Sequence, residues 1–307
     1  MKAIRFERYG SPDVLTLADI EVPVPAADQV LVKVAAASVN ALDWHLLRGK
    51  PYLVRLAGGL RAPREHGIGA DVAGTVVSVG ANVTDFAPGD EVFGQSIRTF
   101  AEYVVVSKTG LVAKPARLSM DQAAALPVAG LTALQGLRKG GLTRGQRVLI
   151  TGASGGVGHF AVQVAAASGA VVTASCRTRH VAMVESLGAS TVLDYTRVDV
   201  TRGQYDLVLD AAGSLTVRQL KRLAPMAVIA GAPSGDWIAP VIGPIVAATS
   251  SRLVSYLQQR SLDDLTEIGT LVTPVIDSRF ALAEVPDAIR HIESGHPGGK
   301  IVITVDE

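Results

Sequence analysis

The chain has 307 residues, 29 basic against 28 acidic side chains, a net charge of +1, 48% hydrophobic residues and one cysteine. At about 100–200 residues per domain this length predicts two domains with sizeable cores, and so much apolar surface excludes a disordered chain. A near-zero charge balance without a run of Lys or Arg argues against nucleic acid or an acidic membrane surface as partner.

The lone Cys176 allows no intramolecular disulfide and no thiolate cage for zinc. The opening MKAIRFERYGSPD lacks the apolar centre of a signal peptide. Residues 148–176 carry no Asp, Glu, Lys or Arg, but glycines divide them into strand-like, loop-like and helix-like pieces rather than one membrane helix. The chain therefore reads as cytoplasmic, with no membrane partner.

Up to about residue 115, short alternating or β-branched runs at 29–34, 73–79 and 103–107 predict an all-β unit. Turn signals such as Ala87-Pro88-Gly89-Asp90 separate them. Residues 121–139, rich in Ala and Leu, predict a helix with Ser119 or Asp121 as N-cap. Strands and helices then alternate: strand 147–150, helix 159–168, strand 170–175, helix 181–187, strands 191–193 and 205–210, and further runs at 220–223 and 228–230. This alternation predicts a parallel sheet covered on both faces. The last strand, 301–305, has no helix after it and is expected to return to the first domain. The fold class is α/β, with boundaries expected at 1–116, 117–265 and 266–307.

The strongest chemical signal is VLITGASGGVG at 148–158. It follows an apolar strand and opens an Ala/Val-rich helix, the context in which a glycine turn cradles a dinucleotide pyrophosphate on backbone N–H groups and a helix N-terminus. Ala153 stands where the first glycine of G-x-G-x-x-G is usual. Ser154, Gly155, Gly156 and Val157 are the candidate phosphate contacts. After the next strand an Asp or Glu would accept hydrogen bonds from the ribose 2′-hydroxyl of NAD. The sequence here is Ser175-Cys176-Arg177-Thr178-Arg179-His180, with Ser175 in the acidic position and no acid nearby. Arg177 and Arg179 suit a 2′-phosphate, so NADP(H) is the expected cofactor, against the plainer reading that both arginines only solvate a loop. Cys176 beside Arg177 is read as a small core residue rather than a reactive thiolate.

These segments, with 67–74, 88–94 and 299–305, resemble the medium-chain dehydrogenase/reductase superfamily, and more narrowly its zinc-free quinone oxidoreductase branch. The resemblance covers nearly the whole chain and weakens between 213 and 259. It implies a GroES-like β-barrel domain, an inserted Rossmann domain and a C-terminal return to the first domain. Zinc-dependent relatives carry three catalytic ligands at positions held here by Asn40, by Ala70 in Gly69-Ala70-Asp71, and near Ala129. None supplies a thiolate or imidazole, so zinc is not expected. His66 is read as an ordinary loop histidine.

Without a Lewis acid, the easier chemistry is hydride transfer to a quinone or an α,β-unsaturated carbonyl, which spreads the incoming charge itself. By the resemblance, residues 40–52 lie over the nicotinamide, with His45 where a tyrosine is common. His45 and Tyr52 are candidate proton donors, and Asn40 a candidate for orienting cofactor or substrate; a packed His45 and a rim Tyr52 are the alternatives. Asp43 is read as a helix cap. The resemblance adds Thr132, Tyr195, Gly231 and Lys300 as cofactor contacts and a homodimer as the assembly. Residues 237–251, apolar and uncharged, suit a substrate-channel wall or a dimer surface. Two other functions stay open: an enoyl reductase dedicated to one biosynthetic intermediate, and a non-catalytic NADPH-binding module.

Overall fold

The computed structural model describes residues 1–50, 52, 54–230, 252–295 and 297–305. They fall into two compact units, Met1–Val128 with Arg260–Glu307, and Ala129–Gln259.

In the first unit β1 (Lys2–Arg5) and β2 (Thr16–Asp19) form an antiparallel pair. The long β3 (Gln29–Val39) runs antiparallel to β4 (Asp71–Val79), which continues to β5 (Glu91–Gln95). Beyond these, β6 (Tyr103–Ser107) pairs with β3 and β7 (Leu111–Ala113) with β5. The β-branched residues expected in strands do form them. Val30, Val32, Val34, Val72, Val76 and Val92 pack in one buried cluster, each contributing about 1.5–3 kcal/mol relative to exposure. Gly89 takes the left-handed conformation (φ +99°), and the Asp90 carboxylate accepts from the Ala87 N–H at 2.8 Å, closing the predicted turn.

The helix expected over 121–139 is two, Met120–Ala125 and Pro127–Lys139. Pro127 has no N–H to donate back to the preceding turn, so the ladder breaks there. Ser119 caps the first: its Oγ accepts from the Gln122 N–H at 3.2 Å, while Gln122 Oε1 accepts from the Ser119 N–H at 3.0 Å.

In the second unit β8 (Arg147–Thr151), β9 (Val171–Cys176), β10 (Thr191–Asp194), β11 (Leu207–Asp210), β12 (Met226–Ile229) and β13 (Leu253–Ser255) make one parallel sheet. Its order is β10-β9-β8-β11-β12-β13. Strand order reverses at β8, with β9 on one side and β11 on the other, and the crevice at such a switch point is where doubly wound sheets bind ligands.

The chain then returns. The helix Leu262–Leu271 packs on β7, and the Arg117 guanidinium donates to the carbonyls of Gly269 and of Val272, the latter at 2.7 Å. Finally β14 (Ile276–Ala281) and β15 (Lys300–Thr304) extend the first sheet, β15 running antiparallel to β3, to give β14-β15-β3-β4-β5-β7. Because Met120–Ala125 packs on β3, β4 and β15, and Leu262–Leu271 on β7, the units part at 128/129 and 259/260 rather than at 116/117 and 265/266. Among the described residues no helix is long and apolar enough to cross a membrane.

Candidate active site

The glycine turn lies between β8 and the helix Gly158–Ala167. Gly152, at φ +60°, supplies the left-handed residue, so Ala153 needs no unusual backbone. Ala153 is buried, and its N–H donates to the Ser175 carbonyl at 2.9 Å, which holds the turn against the end of β9. A Cβ on Gly158 would collide with the Gly152 carbonyl, so this glycine allows the helix to start hard against the strand. Gly155 differs: its Cβ would meet only the Gly152 oxygen, at 3.3 Å. Ser154, Gly155, Gly156 and Val157 are half-buried around this helix start, where a pyrophosphate would be held by N–H groups.

At the ends of β9 and β10 the adenosine-end candidates come together. Arg177 Nε donates to Tyr195 Oη at 2.7 Å, and Tyr195 remains exposed. The Ser175 side chain is buried, and Arg179 is exposed with its Nε donating to His180 Nε2 at 2.9 Å. Beside them stands an acid that the sequence reading passed over. Asp194, level with Cys176 across β9–β10, accepts from the Thr178 hydroxyl and from both the N–H and the hydroxyl of Thr196 (2.9 and 2.7 Å). These bonds hold its carboxyl below the usual range. The pattern Asp194-Tyr195-Thr196, an Asp followed two residues later by Thr, is the Asx-turn signal that could have marked it. Burial, with the negative charges of Asp194 and Glu185, pushes the Cys176 thiol up to about 11, so it stays a packed thiol. Thr132 lies on Pro127–Lys139, and its carbonyl accepts from the Tyr256 hydroxyl. Gly231 and residues 237–251 lie outside the described residues.

In the first unit the three catalytic candidates stand in different settings. Asn40, 5% exposed, precedes the helix Ala41–Arg48; its Nδ2 donates to Asp71 Oδ2 at 2.8 Å and to the Ser38 carbonyl at 3.3 Å. Its Oδ1 accepts from Lys300 Nζ at 2.6 Å. His45 stacks on Trp44 at 3.7 Å, with Nδ1 2.9 Å from the Lys50 carbonyl. A carbonyl only accepts, so Nδ1 carries the hydrogen and Nε2 of the neutral ring is an acceptor. Burial lowers the pKa of His45, so the neutral ring is favoured and proton donation from Nε2, as expected from sequence, would require the disfavoured imidazolium. Tyr52 is 64% exposed, and the Arg55 guanidinium lies 5.0 Å from its ring centre.

Lys300 is not placed as a phosphate ligand. It is 3% exposed, and its ammonium is taken up by Asn40 and, at 3.4 Å, by Asp71 Oδ2. Asp71, fully buried, also accepts from Ser38 Oγ at 2.7 Å and, at Oδ1, from the Val128 N–H at 2.9 Å. Asp43 accepts from the Asn40 N–H at 2.7 Å as the third helical residue of a capping box, so the cap residue itself is Asn40 and not Asp43. Burial, reinforced by the charge of Asp71 and opposed by the Asn40 N–H and Lys300, raises the pKa of Asp43 to about 7. The zinc-ligand positions hold the bonded Asn40 amide and the methyls of Ala70 and Ala129, which do not fit zinc. His66 contacts the Phe6 carbonyl at 3.3 Å and Glu7 at 2.9 Å, as a loop histidine.

Comparison with known proteins agrees with this architecture. The profile of the alcohol dehydrogenase GroES-like domain matches residues 26–116, and that of zinc-binding dehydrogenase matches 187–303. The chain is 33% identical to the chloroplast envelope quinone oxidoreductase homolog of Arabidopsis thaliana, over 99% of this chain and 98% of the relative. It is 32% identical to the NADPH-dependent alkenal/one oxidoreductase of the same plant, over 99% of this chain and 79% of the other. The solved quinone oxidoreductase of Coxiella burnetii superposes with a TM-score of 0.87 at 32% identity, covering 100% and 99% of the two chains.

Proposed function

The chain belongs to the quinone oxidoreductase branch of the medium-chain dehydrogenase/reductase superfamily, and from that premise we propose that it is an NADPH-dependent reductase of quinones and α,β-unsaturated carbonyls. The observation that carries the cofactor half is the pairing of the 152–158 turn with Arg177 and Tyr195 at the neighbouring strand ends. Gly155 donates its N–H to the Gly152 carbonyl at 2.9 Å and closes the turn, so the N–H groups of Gly156 and Val157 would hold the pyrophosphate, and the free end of the Arg177 guanidinium a 2′-phosphate, with Tyr195 fixing that side chain through Nε. When bound, NADPH supplies the hydride.

The reaction is read as metal-independent, because the ligand positions carry an amide and two methyls, and a conjugated acceptor needs no Lewis acid to delocalise the arriving charge. His45, neutral and bonded through Nδ1, orients the end of its helix and offers an acceptor at Nε2. The acceptor's proton is then drawn from solvent or from Tyr52, whose hydroxyl is accessible. We also propose a cytoplasmic homodimer, on family grounds, to be read by light scattering.

The test is oxidation of NADPH and of NADH by chelator-treated protein against quinones, enones, simple ketones and aldehydes. Turnover of quinones or enones with NADPH preferred is expected. Activity lost to the chelator and restored by zinc would overturn metal independence. NADPH binding without turnover of any acceptor would overturn the broad reductase reading, in favour of one dedicated enoyl substrate or a binding role.

A further inference from the structure

The polar cluster of the first unit poses a physical question. Asp43, Asp71 and Lys300 are all at most 3% exposed, and burying an ion costs several kcal/mol that its partners must return. Replacing such a group by packed apolar side chains is often neutral or stabilising, so fold stability alone is a weak account of it. What the cluster does achieve is orientation. The Asn40 NH2 has acceptors at Asp71 and Ser38, and its oxygen has a donor at Lys300. The opposite amide orientation would set NH2 against an ammonium and the oxygen against a carboxylate. Asp71 in turn joins three other segments, taking Ser38, Asn40 and Lys300 at Oδ2 and the Val128 N–H at Oδ1. The Asn40 N–H is fixed by Asp43, whose Oδ1 has no hydrogen-bond partner among the described residues.

We propose that Lys300 is a positioning residue: a cation built into β15 that, with Asp71, locks the Asn40 side chain in one orientation and thereby sets the start of the helix Ala41–Arg48 for the reduction. The positioning role in turnover rests on the reductase reading above. The lock itself is independent of it. Lys300 is the only cation bonded within the cluster among the described residues, facing Asp71 from β4 and Asp43 from the helix start. Its removal leaves two buried carboxylates uncompensated and the amide free to turn.

The experiment compares wild type with Lys300→Met and Lys300→Arg in full-length protein. In Lys300→Met, kcat is expected to fall about ten- to a hundredfold, the scale of losing a hydrogen bond to a charged group, with the NADPH Kd unchanged. The acid limb of the kcat profile should move to higher pH, because Asp43 loses the positive neighbour that favours its ionised form. Lys300→Arg should recover most of the rate. Loss of NADPH affinity with kcat spared would overturn the proposal in favour of a phosphate contact. Equal losses in both variants with an unmoved pH profile would reduce Lys300 to packing. Ser38→Ala, which removes a neutral donor to Asp71, gives the same direction with smaller size should Lys300→Met fail to fold. Amide exchange of the Asn40 side chain, followed by NMR, separates the two readings. Faster exchange in the variant supports the lock even if wild type reduces no acceptor, and unchanged exchange overturns it.

Discussion

The glycine turn after β8 and the buried cluster around Asp71 solve opposite problems. The turn is built from consecutive residues, 152–158, and its tolerances are steric: Gly152 for a positive φ, Gly158 for contact with the Gly152 carbonyl. The cluster draws Ser38, Asn40, Asp43, Asp71, Val128 and Lys300 from four distant stretches, and its tolerances are electrostatic. A backbone site of the first kind is broken by adding one carbon. A side-chain site of the second kind is broken by unbalancing a charge.

The largest effect should come from Gly158→Ala. The new Cβ meets backbone on the Gly152 side, which cannot yield as a side chain would, and overpacking of this kind costs about 1–3 kcal/mol. A fall in thermal stability together with loss of NADPH binding by calorimetry is expected. Gly155→Ala sharpens the contrast. Its Cβ would stand 3.3 Å from the Gly152 oxygen, a tight contact but far milder than at Gly158, so it should cost clearly less stability than Gly158→Ala while still weakening NADPH by obstructing the approach of phosphate. Equal destabilisation by both would mean that the turn is structural.

Next in size is Arg177→Ala. Its guanidinium is steadied by Tyr195 at 2.7 Å, so little ordering remains to be done on binding. The NADPH Kd should rise about ten- to a hundredfold, the range of a charge-assisted bond to phosphate, with NADH affinity little changed. Equal weakening of both cofactors would remove the 2′-phosphate from the argument.

This contrast also explains what was legible in the sequence. The turn was, because its chemistry is contiguous and each glycine reports a local backbone demand; Arg177 was, because it follows the next strand, whereas Tyr195 entered only through the resemblance and is set beside it by the parallel pairing of β9 with β10. The return of β15 was read from a terminal strand without a helix after it. The cluster was not. Asp71 appears in the sequence only as the neighbour of a missing histidine, and Lys300 in its Gly-Gly-Lys turn only as a cofactor contact implied by the resemblance. Only the pairing of β15 with β3 and of β3 with β4 brings Lys300, Asn40 and Asp71 together, and no local periodicity encodes such a pairing. The break at Pro127 was visible as a proline, but two helices separated by the single residue Leu126 give the same apolar pattern as one.

The smallest effect expected, and the one that most directly separates the two regions, belongs to Asp43→Asn. In the unfolded chain this carboxyl titrates at about 4, and in the fold at about 7, burial being the main cause. The folded state therefore holds the proton more tightly, and between those two values it binds more protons than the unfolded state. Stability must then decline as pH rises from about 4 to about 7, and above that range the full cost of a buried carboxylate is felt. Asparagine keeps an oxygen for the Asn40 N–H but has no proton to lose. The variant should match wild type near pH 4 and exceed it at pH 8 by at most about 4 kcal/mol, the linkage value of that pKa difference, measured by urea unfolding across that range. Because the change lies in the cluster and leaves the turn untouched, its NADPH affinity should follow wild type at every pH. Parallel stability curves for the two proteins would show that Asp43 is ionised throughout, its charge already balanced by Lys300.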